Sequence, residues 1–239
     1  MSWPKPRPVL SDADIAINED WQVHWLTQSQ NRFSGVQAFN HGYVLRSGRD
    51  LVGRTLEIGA GGGEHINLEK AQGTLDDYNV LELRPDLASI VRQRFPDVKV
   101  AVGDCQERLP FEVSSLSRII AIHVLEHLDN LPAFLAEGAR ALQPEGRLLA
   151  VIPCEGGVGY TLGRQMTSKR QFERRYKKPY EPFIRAEHLN NAREILGEVR
   201  RHFQIESAEY WPLRVPLIDL NLCIGLRLAP LSKGRPGSR

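Results

Sequence analysis

Arg54-Thr55-Leu56-Glu57-Ile58-Gly59-Ala60-Gly61-Gly62-Gly63-Glu64-His65 is the stretch whose reading decides the fold. Leu56 and Ile58 read as a short buried strand. Four glycines then fall within five residues, at Gly59, Gly61, Gly62 and Gly63. Without a Cβ, such a run reaches left-handed backbone angles and lets a ligand come close. A strand that runs straight into this loop opens a nucleotide-binding βα unit. The glycines alone do not separate one nucleotide cofactor from another. Two glutamates narrow the choice. Position 64 is Glu where a dinucleotide loop carries its third glycine, and Glu57 sets a carboxylate ahead of the loop. A carboxylate there repels a pyrophosphate and can accept hydrogen bonds from a cationic amino-acid ligand.

Downstream, strand and helix signals alternate, which predicts a parallel sheet covered by helices. Tyr78 to Leu83 is a second strand, and Arg84-Pro85-Asp86 starts a helix to about Arg94, with proline in its first turn. Glu82 lies 23 residues after Gly59, where a βαβ unit places the carboxylate for the ribose hydroxyls. Val98 to Asp104 is a third strand and Arg118 to Ile122 a fourth. An amphipathic helix, Leu131 to Leu142, leads through the turn Gln143-Pro144-Glu145-Gly146 to a fifth strand, Arg147 to Pro153.

Four segments in this order, LEIGAGGGEH, VAVGDCQERLPF, IHVLEHL and ARALQPEGRLLAVIP, resemble class I S-adenosylmethionine-dependent methyltransferases of type 11. The resemblance covers about residues 50–153 by motif and 200–229 by layout. It implies an α/β, Rossmann-like, seven-stranded, mostly parallel sheet with helices on both faces. It also implies an antiparallel terminal hairpin, here Phe203 to Pro212 and Leu217 to Leu228. The implied activity is methyl transfer from S-adenosyl-L-methionine, with S-adenosyl-L-homocysteine as product. The cofactor-binding residues implied are Glu57, Gly59, Ala60, Gly61 and Gly62 in the loop, with Glu82 and Leu83 after the second strand. Asp104 would accept from the adenine amine, Cys105 would offer its backbone N–H, and His123 would border the methionine part. Glu145 stands where the family has the first of two glycines after the proline, a change a turn tolerates.

A general base helps if the acceptor is a hydroxyl, and His127, His123 and His188 are the candidates. His123 and His127 stand four residues apart, but without a glutamate base or third ligand they fall short of a zincin motif, so no metal is expected. Cys105 has no histidine or second cysteine near it in sequence, which argues against a reactive thiol. Between about Cys154 and Ala186 a glycine-rich stretch precedes Arg164 to Lys178, which holds seven basic residues and one acid. This is either a solvated helix face or an anion-binding substrate lid. Tyr176, Tyr180 and Phe183 interleave with the charges and suit an acceptor with planar or sugar-like parts. The reading is therefore a small polar or anionic metabolite or glycoside as acceptor. A methyltransferase of RNA, a protein that holds the cofactor without transferring from it, and a nicotinamide-dependent oxidoreductase are the alternatives.

Composition sets the outer bounds. The 239 residues are 41% hydrophobic and 25% charged, enough for a sizeable core, and the net charge of +2 does not call for a polyanionic partner. Three scattered cysteines fit a reducing compartment, and the N-terminus lacks an apolar signal core, so a cytoplasmic protein with no membrane span is expected. Monomer and homodimer both stay open. Residues 1–50 read as an arm, irregular to about residue 20, and a helical lead-in bearing Trp21, Trp25, Phe33, Phe39 and Tyr43. Residues 51–229 form the domain, and 230–239 a disordered tail. Calorimetry tests the cofactor assignment: S-adenosylhomocysteine binds and NAD does not, and tight NAD binding with no response to S-adenosylhomocysteine would reverse it.

Overall fold

In a computed structural model, residues 2–32 and 34–231 are described, the side chains of 25–34 apart. The expected alternation of strands and helices is present. Helices α1 (Asp12–Arg32) and α2 (Ser34–Ser47) precede strand β1 (Thr55–Ile58), helix α3 (Glu64–Gln72), β2 (Tyr78–Glu82), α4 (Pro85–Arg94) and β3 (Lys99–Val102). Then come β4 (Leu116–Ile122), α5 (Leu131–Ala141), β5 (Leu142–Pro153), α6 (Val158–Arg164), α7 (Arg170–Tyr176), α8 (Glu181–Glu187) and α9 (Ala192–His202). The hairpin β6 (Phe203–Trp211) and β7 (Cys223–Pro230) closes the domain. The seven strands form one sheet in the order β3-β2-β1-β4-β5-β7-β6. β1 to β5 run parallel, β7 pairs antiparallel with β5, and β6 antiparallel with β7.

Boundaries differ from the sequence reading at several elements. Helix α1 begins at Asp12, inside the stretch read as irregular, with Asp12 and Asp14 in its first turn as the helix dipole favours. β5 begins at Leu142, which pairs with Leu116 before the ladder shifts and resumes at Arg118 and Arg147. β7 starts at Cys223 because Ile218–Leu220 forms a short 3₁₀ turn instead of strand. The side chains of Trp25 and Phe33, and most of the predicted tail, lie outside the described residues.

Two apolar layers cover the sheet. On one face Leu56, Ile58, Ile119 and Leu148 pack with Phe134 and Leu135 of α5 and Ile195 and Val199 of α9. On the other, Tyr78, Val80, Ile120 and Leu149 pack with Phe39, Tyr43 and Val44 of α2, Ile66 of α3 and Val91 of α4. Phe39 and Tyr43 are thus core residues, as helical aromatics beside polar neighbours usually are. A Cβ at Gly225 would lie 2.4 Å from the Tyr43 ring, so only glycine lets α2 settle on β7 at this distance.

One charged pair lies inside the second layer. Arg118 on β4 donates from Nη1 and Nη2 to the two carboxylate oxygens of Glu69 on α3, at 2.8 and 3.1 Å, and from Nε to Thr55 Oγ1 at 3.1 Å. His65 Nε2 meets the same carboxylate at 3.1 Å. Burial pushes the Glu69 pKa up, but His65 and Arg118 outweigh it and hold the group at about 2. Its ordinary value is 4.5, so its contribution to stability is complete above that pH and is lost as pH falls from 4.5 through 2. Glu69→Gln strands the guanidinium and should cost about 3–5 kcal/mol at pH 7. Urea denaturation checks this, and the gap between the two proteins should narrow below pH 4.5. A gap independent of pH would show that Glu69 carries no charge in the fold.

Candidate functional site

The parallel strands β1, β2, β3 and β4 deliver their C-terminal loops to one edge, where open α/β sheets bind ligands. The glycine loop leaves β1 there. Gly59, Gly61 and Gly63 all have positive φ, at 65, 55 and 85°. At Gly63 a Cβ would lie 2.4 Å from the Phe95 ring, so the turn into α3 closes only with glycine. Glu82, at the end of β2 and 5% exposed, crosses to this loop. Its Oε2 accepts from the Gly61 N–H at 3.2 Å and its Oε1 from the Arg84 N–H at 3.1 Å. The carboxylate is therefore held on the loop by two backbone N–H groups.

Beyond Glu82 the edge is apolar. Leu83 is 63% exposed and Val102, at the end of β3, 46%. Large aliphatic side chains open to solvent at adjacent strand ends form a ledge of the kind a planar base covers. Asp104 follows, its Oδ1 accepting from the Gln106 N–H at 2.9 Å and from Gln106 Nε2 at 3.1 Å. Cys105 is buried, and burial pushes its thiol up to about 12, consistent with a structural residue. Gly59, Ala60, Gly61, Gly62, Glu82, Leu83 and Asp104 thus belong to neighbouring loops at one edge. Glu57 differs. It is 3% exposed inside the sheet, and its Oε2 accepts from Tyr78 Oη at 2.8 Å. Burial raises its pKa, so the carboxyl buttresses β1 and β2 from within.

The turn after β4 abuts the glycine loop, since a Cβ at Gly59 would lie 3.1 Å from Val124. His123 ends the strand with φ at 53°, an uncommon conformation for a residue other than glycine. Its Nδ1 meets Glu126 Oε1 at 3.1 Å and its Nε2 the Asn40 side-chain amide at 2.9 Å. Burial lowers the His123 pKa, but bonds to Cys223 and Glu126 outweigh it and lift it to about 10. A cationic ring donates from both nitrogens, so Asn40 presents its amide oxygen, an orientation that also gives that buried oxygen a partner.

The three candidate histidines come together around Glu126. His127 and His188 meet edge to face, with ring centroids 4.9 Å apart and planes at 87°. His127 Nδ1 donates to the Glu187 carbonyl at 2.9 Å. His188 Nδ1 bonds to Glu155, which also holds Arg164. Burial keeps His127 below the ordinary histidine range. The sixty residues between the two histidines are bridged through Asn190, 1% exposed, whose Nδ2 donates to the carbonyls of Leu125 at 2.9 Å and Leu128 at 2.6 Å. Leu189 and Asn190 also donate their backbone N–H groups to the Glu126 carbonyl at 2.8 and 3.1 Å. Sequence reasoning did not single out Asn40, Glu155 or Asn190 as parts of the site. A lone Asn in a helix or before one carries no periodic signal, and Glu155 reads as a loop acid.

Residues 56–150 match the family described as "Methyltransferase domain", of type 11. Among solved structures, the PH0226 protein of Pyrococcus horikoshii OT3 is similar with a TM-score of 0.63 and 16% identity, over 85% of this chain and 92% of that one. A methyltransferase of Thermotoga maritima, described as a possible histamine N-methyltransferase, gives 0.58 and 19% over 85% and 95%. The N-methyltransferase NodS of Bradyrhizobium japonicum WM9, solved with S-adenosylhomocysteine, gives 0.59 and 14% over 90% and 98%. No curated protein matches the sequence. The likeness to these structures is one of fold, that of class I S-adenosylmethionine-dependent methyltransferases, and residues 56–150 match the methyltransferase domain within it. The glycine cradle, the Glu82 carboxylate and the Leu83–Val102 ledge lie side by side along this edge.

Glu82→Ala tests the ribose contact. Charge-assisted hydrogen bonds contribute about 1.5–3 kcal/mol each, so S-adenosylhomocysteine affinity should fall tenfold or more. Calorimetry on the folded variant reads the loss, and an unchanged dissociation constant would remove Glu82 from the site.

Proposed function

We propose that the protein methylates a small polar metabolite or glycoside, with the segment from Cys154 to Ala186 as the cover of the acceptor site. The observation that carries this reading is the polar wall beside the glycine loop. Glu126, His127, His188, Glu155 and Arg164 lie on one connected set of contacts. S-adenosylmethionine supplies an electrophilic methyl group when bound. The chain's own task is to hold an acceptor lone pair in line with it, and such positioning supplies several kcal/mol.

The charge balance favours a polar acceptor over a strongly anionic one. Arg164 is already paired with Glu155, Lys169 with Glu181, Arg175 with Asp20 and Lys178 with Asp14. Four of the seven basic residues of 164–178 are thus neutralised within the chain, which also weakens the case for RNA. Tyr180 and Phe183, read from the sequence as substrate-facing, are 5% and 3% exposed and pack with Phe172 against Trp21 of α1. Helix α1 therefore straps the cover down, and the polar turn at its base is left to meet the acceptor. Among the described residues no helix is long and apolar enough to cross a membrane.

Incubating the protein with methyl-labelled cofactor and either a metabolite extract or total RNA separates the readings. Label should appear in small water-soluble products. Label in RNA alone would overturn the proposal, and no transfer to any acceptor would favour a protein that only holds the cofactor. With an acceptor in hand, Arg164→Ala should raise its KM while S-adenosylhomocysteine affinity stays within about threefold.

A further inference from the structure

Spacing in the sequence offers two histidines and no third ligand. Folding engages both ring nitrogens of His123 and groups His127 with His188 and Glu126 instead. Glu126, His127 and His188 each offer one ligand atom, and these lie within 4.8 Å of one another. We propose that these three side chains hold a divalent first-row transition-metal ion at the acceptor side of the site.

The argument rests on how each donor is held. Histidines that bind metals give their other ring N–H to a carbonyl or carboxylate, which fixes the tautomer and aims the free nitrogen. Both histidines do so here. His127 Nδ1 is taken by the Glu187 carbonyl and His188 Nδ1 by the Glu155 carboxylate, so each presents Nε2. His127 Nε2 lies 4.0 Å from Glu126 Oε1. The carboxylate between them is 1% exposed; its Oε1 is bonded to His123, and its Oε2 is buried with no hydrogen-bond partner. A buried carboxylate oxygen without a partner costs free energy that a cation would recover. Donors about 2.0–2.2 Å from an ion stand roughly 3.3 Å apart, so each needs to move by less than about 1 Å.

Two imidazoles and one carboxylate select zinc and its first-row neighbours over magnesium, which prefers oxygen ligands and keeps its water. Three protein ligands leave a coordination position open. His127, with 37% of its side chain exposed, opens that position toward solvent and the acceptor. A hydroxyl or carboxylate oxygen of the acceptor fits there. This role rests on the function proposed above, whereas metal binding itself does not.

The test uses the full chain after chelator treatment. Titration with Co²⁺, followed by its visible ligand-field absorption, should show one ion per chain, displaced by Zn²⁺ and not by Mg²⁺. His127→Ala and His188→Ala should each lower Co²⁺ affinity by at least about 100-fold, and Glu155→Gln by about 10–100-fold, the range for a residue that orients a ligand. S-adenosylhomocysteine affinity should hold within about threefold in all three, which certifies the fold. In the unmutated protein, Co²⁺ should shield His127 and His188 from diethyl pyrocarbonate, read by mass spectrometry. Absence of Co²⁺ binding, displacement by Mg²⁺, unchanged affinity in folded variants, or absence of shielding would each overturn the site. Co²⁺ binding without methyl transfer to any acceptor would uphold the ion and refute the function proposed above.

Discussion

The Arg118–Glu69 pair is the constraint on which the cofactor edge depends. Burying two charges costs several kcal/mol, and their attraction offsets this only with good geometry and further hydrogen bonds. Here both guanidinium nitrogens meet the carboxylate, Nε meets Thr55, and His65 meets the same carboxylate. The arrangement fixes one position of α3 against β1 and β4. Helix α3 begins at the glycine loop, so that position also sets where the loop stands relative to Glu82. The Glu57–Tyr78 bond does similar work one strand over, joining β1 to β2 below the same loop. These buried contacts never touch a ligand, yet they decide where the ligand's partners are.

The acceptor side is built by a different device. Parallel crossovers bring the β4 turn beside the glycine loop as a consequence of topology. His188 has no such guarantee, because a run of short helices intervenes. The link is local: the Asn190 side chain donates to two carbonyls of the 125–128 turn, and the backbone N–H groups of Leu189 and Asn190 donate to the Glu126 carbonyl. A π-helical turn at Gln165–Lys169 joins α6 to α7 within the cover, the kind of irregularity that recurs at functional sites. Trp21 then closes the aromatic cluster from the far side, meeting Phe172 edge-on at 5.3 Å. The N-terminal helix and the cover are therefore one packed unit.

How much of this was legible in the sequence follows from the range of the forces involved. The strand-loop-helix at 54–65, the carboxylate at 82 and the alternation through residue 153 were legible because each is a local pattern with a fixed period or spacing. The cofactor edge followed, since β1, β2 and β3 must present their ends together. Glu57 shows the limit. Its place before the glycines is clear, but whether its side chain points to the ligand or into the sheet depends on packing with Tyr78. The basic run at 164–178 stayed open between a solvated face and an anion-binding lid, since two of its partners, Asp14 and Asp20, lie more than a hundred residues away. The aromatics interleaved with it were ambiguous for the same reason. The grouping of Glu126, His127 and His188 could not be seen at all without the Asn190 contacts.

The bonding of the three histidines also limits the chemistry they can perform. His123 has both ring nitrogens engaged, by Glu126 and by Asn40, so it has none left for a substrate proton. Burial pushes the Glu126 pKa up, but the bond to His123 and its charge outweigh this and hold the group at about 2. His127 and His188 each have Nδ1 engaged and Nε2 remaining. A single general base would explain one such histidine. It would not explain a second ring set edge-on to the first at 4.9 Å, nor a buried carboxylate with an unpartnered oxygen beside both. Two ring nitrogens and a carboxylate, whose Oε1 accepts from His123 while its buried Oε2 has no partner, form one cluster of electron-pair donors. That imbalance is what a cation at the acceptor side corrects, and it distinguishes this wall from a surface that only has to hydrogen-bond a substrate.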